Sequence, residues 1–512
     1  MPLHVYNVRT RQKEGFRPRE AGKVGLYLCG LTVYDHVHLG HARTAVSFEI
    51  VRRWLERTYE GLRFVQNVTD VEDKIMARAA ELGVSPREHA AKWDRTAREV
   101  MDRLGVRPPD EAPHVTGSIP DIVVFIEEIV QNGFAYVTDK GNVYFDVPKY
   151  DDWAGKRFPA HRYGCLSNRD YRQMAAGTRK DVEADKRHPA DFALWKAAGE
   201  GDHPDASWPS PWSTGRPGWH IECSVMSTRA LGDRIDIHGG GQDLVFPHHE
   251  NEIAQSQAKT GQAPFVDVWM HTGFLNVEGQ KMSKSLGNFI VLQEFLDEME
   301  ADGLGPEVLR FYFAQTHYRS KIDFSRNGLR EAAKALERLH RTRRLLAEAV
   351  ARGGEAGEAR ADGEVHRAAQ ALAEAFDDAM DDDFHTPNAI AALFAFARGV
   401  NPHAEPGAVG AMAAQAALDV FEDRAQVLSL FEASAAPRPS AAVPPVLSSA
   451  LGELGLEVDG ADEDQAMAAA LKARQEARKA KDWGQADRIR DRLAEAGYTI
   501  EDTSQGPRWR RA

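Results

Sequence analysis

Three sets of side chains in this 512-residue chain are spaced to do chemistry. His38-Leu39-Gly40-His41 puts two imidazoles three residues apart at what reads as the start of a helix. A helix N-terminus offers unpaired N–H groups and a positive dipole end, both suited to phosphate. Two histidines there can donate to negative charge that builds on phosphate oxygens in a transition state. A plain capped helix start would use the same residues. Lys281-Met282-Ser283-Lys284-Ser285, flanked by Gly279 and Gly287, sets two ammonium groups on a loop, point charges able to clamp a pyrophosphate leaving group. Each string alone is weak, the first reading better as a plain cap and the second open to a reading as solvated lysines; the pair in one chain outweighs both plain readings.

The third set is of metal-binding type. Cys29 closes a strand, Cys223 lies in Trp219-His220-Ile221-Glu222-Cys223, and Pro247-His248-His249-Glu250-Asn251-Glu252 reads as a helix start with Pro in its first turn. His248 and Glu252 stand at i and i+4 on one helical face; His249 and Glu252, at i and i+3, compete, and spacing does not separate them. Two cysteines, a histidine and a glutamate make a zinc-type donor set. Free cysteines are more commonly small buried apolar residues, the reading kept for Cys165. Gly239-Gly240-Gly241-Gln242-Asp243 follows a strand. Its glycines would let backbone approach adenosine, and Asp243 could accept from ribose hydroxyls, with a flexible turn as the alternative.

These residues need a scaffold. Val24–Leu28 reads as a buried strand, Gly40 onward as a helix with Phe48, Val51 and Leu55 on its apolar stripe, and Leu62–Val68 as a second strand. Strand, helix and strand form a βαβ unit, whose ligands gather at the carboxyl ends of the strands, where Cys29, the histidine turn and Thr69 fall. The expected fold class is therefore α/β: a Rossmann-type parallel sheet, split as 1–110 and 215–285 by a connective insertion at 111–214. The insertion should contain a helix at Val123–Ile126 and a turn and strand over Gly141–Asp146; Arg234–His238 and Val266–His271 are further strands. Residues 286–328 carry the end of the lysine loop and a stem-contact region. Ala-, Arg-, Glu- and Leu-rich spacing predicts a helical bundle over 329–432, broken near Gly353-Gly354 and Asn401-Pro402. Residues 433–450 read as a linker, and 451–512 as a small terminal domain with helices near 463–480 and 482–496.

Composition bounds the rest. With 43% apolar and 28% charged residues the chain is ordinary for a globular protein, and no apolar run is long enough to cross a membrane. No leader is evident at the N-terminus, and three cysteines are too few for a disulfide framework, so a reducing cytoplasm is expected. The net charge of −13 does not exclude a nucleic-acid partner, since residues 471–512 hold eleven Lys/Arg against seven Asp/Glu.

Over essentially its whole length the chain resembles the bacterial cysteinyl-tRNA synthetases, within the class I aminoacyl-tRNA synthetases. The matching stretches are Tyr27–Asp35, Asn67–Ile75, Gly218–Ser224, Asp236–Gly241, Phe246–Gln255, Lys281–Asn288, Met380–Pro387, Lys481–Trp483 and Gly506–Arg511. The resemblance implies zinc on Cys29, Cys223, His248 and Glu252, which settles the histidine choice, with the substrate's thiolate bound to that zinc. It implies Thr69, Trp219 and His238 around L-cysteine and Lys284 on ATP, assigns 451–512 to anticodon reading, and makes a monomer the expectation. His38, His41, Lys281 and Lys284 would stabilise phosphate charge, with Mg²⁺ assisting and Gly241 and Asp243 at the nucleoside. The expected reaction is formation of cysteinyl-adenylate, then transfer to the terminal ribose of tRNA(Cys), without a hydrolytic editing domain. Two departures occur: Leu39 stands where the family usually has Ile, and His385 where it usually has Asn. The alternatives are a ligase joining cysteine to an amino sugar, which should lack the terminal RNA-reading unit, and a non-catalytic tRNA-binding paralogue.

Overall fold

The structure, a computed structural model, describes the chain apart from residues 1, 173–184, 200–201, 283–286, 354–356, 404–407, 433–444, 457–462, 481, 497, 504–505 and 512. It divides into two units, residues 1–431 and 432–512.

The βαβ expectation is met. Lys23–Thr32, helix Leu39–Thr58 and Gly61–Thr69 form the unit, and the parallel sheet runs in the order Val266–Thr272, Ile235–Gly241, Lys23–Thr32, Gly61–Thr69. Strands covered on both faces read as nearly continuous apolar runs, and Leu26, Tyr27, Val65, Ile237, Trp269 and Met270 are all buried. On the helix, Phe48, Val51 and Leu55 face inward as their spacing requires. Fully burying a ring such as Phe48 contributes about 1.5–3 kcal/mol.

The interval 111–214 holds helix Val115–Gln131 and three strands of an antiparallel sheet ordered Ala135–Val137, Val143–Phe145, Phe192–Ala197, Gly215–Pro217, whose last strand lies just past the expected end of the insertion. Downstream, Arg326–Arg352, Ala359–Asp381, Thr386–Val400 and Ala411–Val427 pack as four helices around Leu336, Leu346, Phe376, Phe396 and Phe421.

Three departures have clear causes. Helices Asp73–Leu82 and Pro86–Arg103 follow the Thr69 strand, where charged residues are frequent; their buried apolar stripe is thin, Ile75 and Ala79 on the first and Pro86, Ala90, Ala97 and Val100 on the second, beside buried His89 and Asp94. Pro247 does not open a regular helix: Phe246 is extended (φ −141°, ψ 132°), Val245–His249 makes a wider turn, and the α-helix runs Glu250–Thr260. In the second unit a helix begins at Pro445, inside the expected linker, because Leu447 and Leu451 are buried against Met467, Ile489 and Leu493. That unit continues with Glu463–Lys479, Trp483–Glu495 and the hairpin Tyr498–Thr503/Gly506–Arg511. The rest of the expected linker, and Lys481, lie outside the described residues. No helix among the described residues is long and apolar enough to cross a membrane.

Candidate functional site

The strand bearing Cys29 is bent to deliver it. Register against Gly61–Thr69 slips between Leu28 and Leu31, a bulge at Cys29-Gly30, of the kind that re-aims a side chain. Gly30 is obligatory there: a Cβ would lie 1.6 Å from the Asn67 carbonyl oxygen, and its N–H donates to Asn67 Oδ1 at 2.8 Å. Helix Trp219–Leu231 brings Cys223, and the turn into helix Glu250–Thr260 brings His248 and Glu252.

The four donor atoms of Cys29, Cys223, His248 and Glu252 all lie within 4.8 Å of one another, and all four residues are buried. A tetrahedral zinc with ordinary bond lengths would separate two sulfurs by about 3.8 Å and an N–O pair by about 3.3 Å. The structure has Cys29 Sγ–Cys223 Sγ at 3.6 Å and His248 Nε2–Glu252 Oε1 at 3.2 Å. The residues fit a zinc-sized ion. A second quartet, Cys29, His238, His249 and Glu252, is equally close. His249 Nε2 is 3.3 Å from Cys29 Sγ and His238 Nε2 is 2.9 Å from Glu252 Oε2. Geometry thus keeps both histidines in contention, although only the first quartet uses Cys223.

The histidines are held from behind. His248 Nδ1 meets His220 Nδ1 at 3.1 Å, and His249 Nδ1 meets His271 Nε2 at 2.7 Å. Burial pushes the Cys29 thiol well up and the His248 and His249 imidazoles well below their ordinary range; His220 and His271 are held down to about 3, again chiefly by burial. All these shifts favour neutral forms, and a bound cation would reverse the cost for the Cys29 thiol.

Of the expected substrate residues, Trp219 and His238 touch members of the first quartet and Thr69 touches Glu222, next to Cys223 in sequence. Thr69, buried at the end of its strand, donates to Glu222 Oε2 at 3.4 Å and lies 3.2 Å from Asn67 Nδ2. Trp219, 37% exposed, lies tilted over the His248 ring at 4.5 Å, and His238 stacks on Trp269 at 4.5 Å. Sequence reasoning missed Glu222, His220 and His271; the one available signal was that His271 ends a strand on the edge where ligands gather.

The histidine turn is a capping box. His38 caps helix Leu39–Thr58, its Nδ1 accepting from Gly40 N at 3.1 Å and His41 N at 3.4 Å, while His41 Nδ1 accepts from His38 N at 3.4 Å. The two rings stack at 3.5 Å. Burial, and secondarily His38, hold the partly accessible His41 imidazole down to about 3, so it is neutral near pH 7. Main-chain bonds bring the segment after the lysine loop to this turn: Leu39 N donates to Ile290 O at 3.1 Å and Leu292 N to Val37 O at 2.8 Å. Met282 reaches it too, its Cε 3.5 Å from where a Gly40 Cβ would stand. Lys281 ends strand Gln280–Lys281; Lys284 lies outside the described residues.

The glycine run is strand, not the turn that the sequence also allowed, and completes Ile235–Gly241. A Cβ on Gly239 would lie 2.2 Å from the Phe48 ring, and one on Gly240 2.8 Å from His249. At Gly241 a Cβ would meet the exposed Asp243 carboxylate at 2.5 Å.

This fold is shared with class I aminoacyl-tRNA synthetases. Mycobacterium tuberculosis methionyl-tRNA synthetase in complex with methionyl-adenylate superposes with a TM-score of 0.57 at 15% identity, covering 87% of this chain and 96% of that one. Leucyl-tRNA synthetase of Agrobacterium radiobacter gives 0.57 at 12% identity, covering 82% and 87%. Residues 15–334 match the class I (C) tRNA synthetase catalytic domain, 375–432 the DALR domain and 461–510 the cysteinyl-tRNA ligase anticodon-binding domain. Proteins named cysteine–tRNA ligase from Heliobacterium modesticaldum and Alkalilimnicola ehrlichii are each 45% identical, the first over 100% of both chains and the second over 99% of this chain and 100% of its own. The chain belongs to the cysteinyl-tRNA synthetase family.

Proposed function

We propose that the chain is a cysteine–tRNA ligase that activates L-cysteine with ATP and esterifies it to the 3′-terminal ribose of tRNA(Cys). The observation that carries this reading is the buried Cys29, Cys223, His248 and Glu252 quartet in a chain whose terminal domain matches a cysteine-specific anticodon reader. The match over 461–510 counts against the amino-sugar ligase, which has no use for an RNA-reading end. Intact histidine and lysine signatures count against a non-catalytic paralogue.

Cys29, Cys223, His248 and Glu252 would hold zinc, which would supply Lewis-acid chemistry, favouring the substrate's thiolate by lowering its pKa. Thr69, Trp219 and His238 wall the space beside the quartet and orient the amino acid. The substrate carboxylate attacks the α-phosphate in line, forming an acyl–phosphate bond while the bond to pyrophosphate breaks. The Nδ1 atoms of His38 and His41 are engaged by the turn's own amides, so Nε2 is the atom each ring would present to phosphate. Lys281 and Lys284, with Mg²⁺, neutralise the departing pyrophosphate, and Gly241 and Asp243 border the nucleoside. The ribose hydroxyl of tRNA then displaces AMP. The domain limits set out from the sequence, a monomeric state and a cytoplasmic setting complete the proposal.

Charging of tRNA(Cys) with labelled cysteine tests it, alongside cysteine-dependent ATP–pyrophosphate exchange. Exchange without aminoacyl-tRNA would favour the amino-sugar ligase; neither activity would favour the paralogue.

A further inference from the structure

A polar chain running from buried Asp383 to buried Arg43 fastens both of the proposed phosphate-handling segments to the helical bundle. Asp383 lies between helices Ala359–Asp381 and Thr386–Val400 with φ +64°, and Phe384 follows with φ +52°. Non-glycine residues keep left-handed backbone only where their surroundings over-determine it. Here they do. The fully buried Asp383 carboxylate accepts from Tyr6 N, the Tyr318 hydroxyl and Arg319 Nε, each at 2.8 Å. Its amide donates to the His4 carbonyl at 2.8 Å, its carbonyl accepts from His317 Nε2 at 2.9 Å, and the Arg319 guanidinium lies 4.0 Å over the Tyr6 ring.

The next link is Arg43, buried on the same helix as His41. It donates to the Tyr318 and Ser320 carbonyls on one side and to Gly273 and Phe274 on the other, the last two at 2.7 and 2.8 Å. A Cβ on Gly273 would stand 2.5 Å from the Arg319 carbonyl, so the two turns are in close register. From Phe274 the chain runs into strand Leu275–Val277, which pairs with Gln280–Lys281 on one side and Ile322–Phe324 on the other. Every step from Asp383 to Arg43 and to Lys281 is a hydrogen bond, a strand pairing or a few residues of chain.

We infer that Asp383, acting through Arg319, the 317–320 turn and Arg43, is a positioning residue that sets the histidine turn against the root of the lysine loop and so tunes the use of ATP. The inference rests on the reading of those two segments as ATP-handling. It places the bundle junction, rather than the zinc quartet, in control of the phosphate half of the site.

The test is steady-state cysteine-dependent ATP–pyrophosphate exchange on the full chain for wild type, D383N, R319Q and R319K, each with a thermal melt and a bound-zinc measurement. D383N and R319Q should raise the KM for ATP or lower kcat by roughly tenfold or more, with the KM for cysteine and zinc content unchanged. R319K keeps the charge and should retain most of the ATP efficiency. The D383N/R319Q pair should be no worse than the poorer single variant. Wild-type kinetics in D383N overturn the inference, as does a parallel rise in both KM values with a falling melting temperature. The Arg319 variants leave Asp383 in place, so the question stays answerable if D383N folds poorly. Absence of exchange in the wild type would remove the parent reading and this inference with it, a result distinct from an exchanging wild type matched by D383N.

Discussion

The zinc-type quartet and the histidine turn share one edge of one sheet and are built on opposite plans. The quartet is made of side chains from three separate elements, all buried, and each competing histidine is gripped from behind by a second imidazole. The turn is made of backbone: its rings cap their own helix, and the lysine-loop segment arrives through main-chain bonds at Leu39 and Leu292. Selection by coordination would depend on tenths of an ångström, which locked donors suit. Neutralising phosphate charge, the role proposed for the turn, would tolerate more slack, and a capped helix start would suffice.

The comparison breaks most sharply at Cys223. Cys223→Ser should lose bound zinc and cut cysteine-dependent exchange by roughly a thousandfold or more, while ATP binding, followed by equilibrium dialysis, persists. Normal exchange in that variant would remove the metal from the account. His248→Ala and His249→Ala next divide the two quartets. Zinc analysis should find the metal gone from the first and retained in the second, with His249→Ala costing roughly ten- to a hundredfold in activity as a supporting partner does; the opposite pattern assigns the site to His238 and His249. His38→Ala should slow exchange by about a hundredfold, the scale of one transition-state donor, with zinc content untouched, and a variant that sheds zinc would unite what the comparison separates.

The smallest effect concerns pH. The His41 imidazole sits at about 3 in the fold against an ordinary 6.5. Between these values the unfolded chain binds a proton that the folded one does not, so stability is lost as pH falls from 6.5 towards 3. Urea midpoints at pH 7 and pH 5 should therefore differ less in His41→Asn than in the wild type. Equal differences would mean the ring is protonated in the fold.

Motif residues and strands were legible in the sequence because their signals are local. Cys29, Thr69 and His238 follow apolar runs, and the Phe48, Val51, Leu55 stripe names its own helix. The support behind them was not legible. His220 and His271 matter only because separate elements bring them to His248 and His249, and Glu222 only because Thr69 faces it. The helices at 73–103 were hidden by using alanine for much of their buried stripe. Strand Gly506–Arg511 owes its status to pairing with Tyr498–Thr503, which no run of six residues announces.

One absent methyl group carries a further consequence. Gly239 lets the Phe48 ring rest on the sheet, and Phe48 sits on the helix that begins at the histidine turn. The stand-off between that helix and the strand edge is thus calibrated by a hydrogen atom. An alanine at this position would act as a shim, lifting the whole rod and carrying the imidazoles away from the pocket together. A residue with no side chain would then govern the gap between those imidazoles and the strand edge.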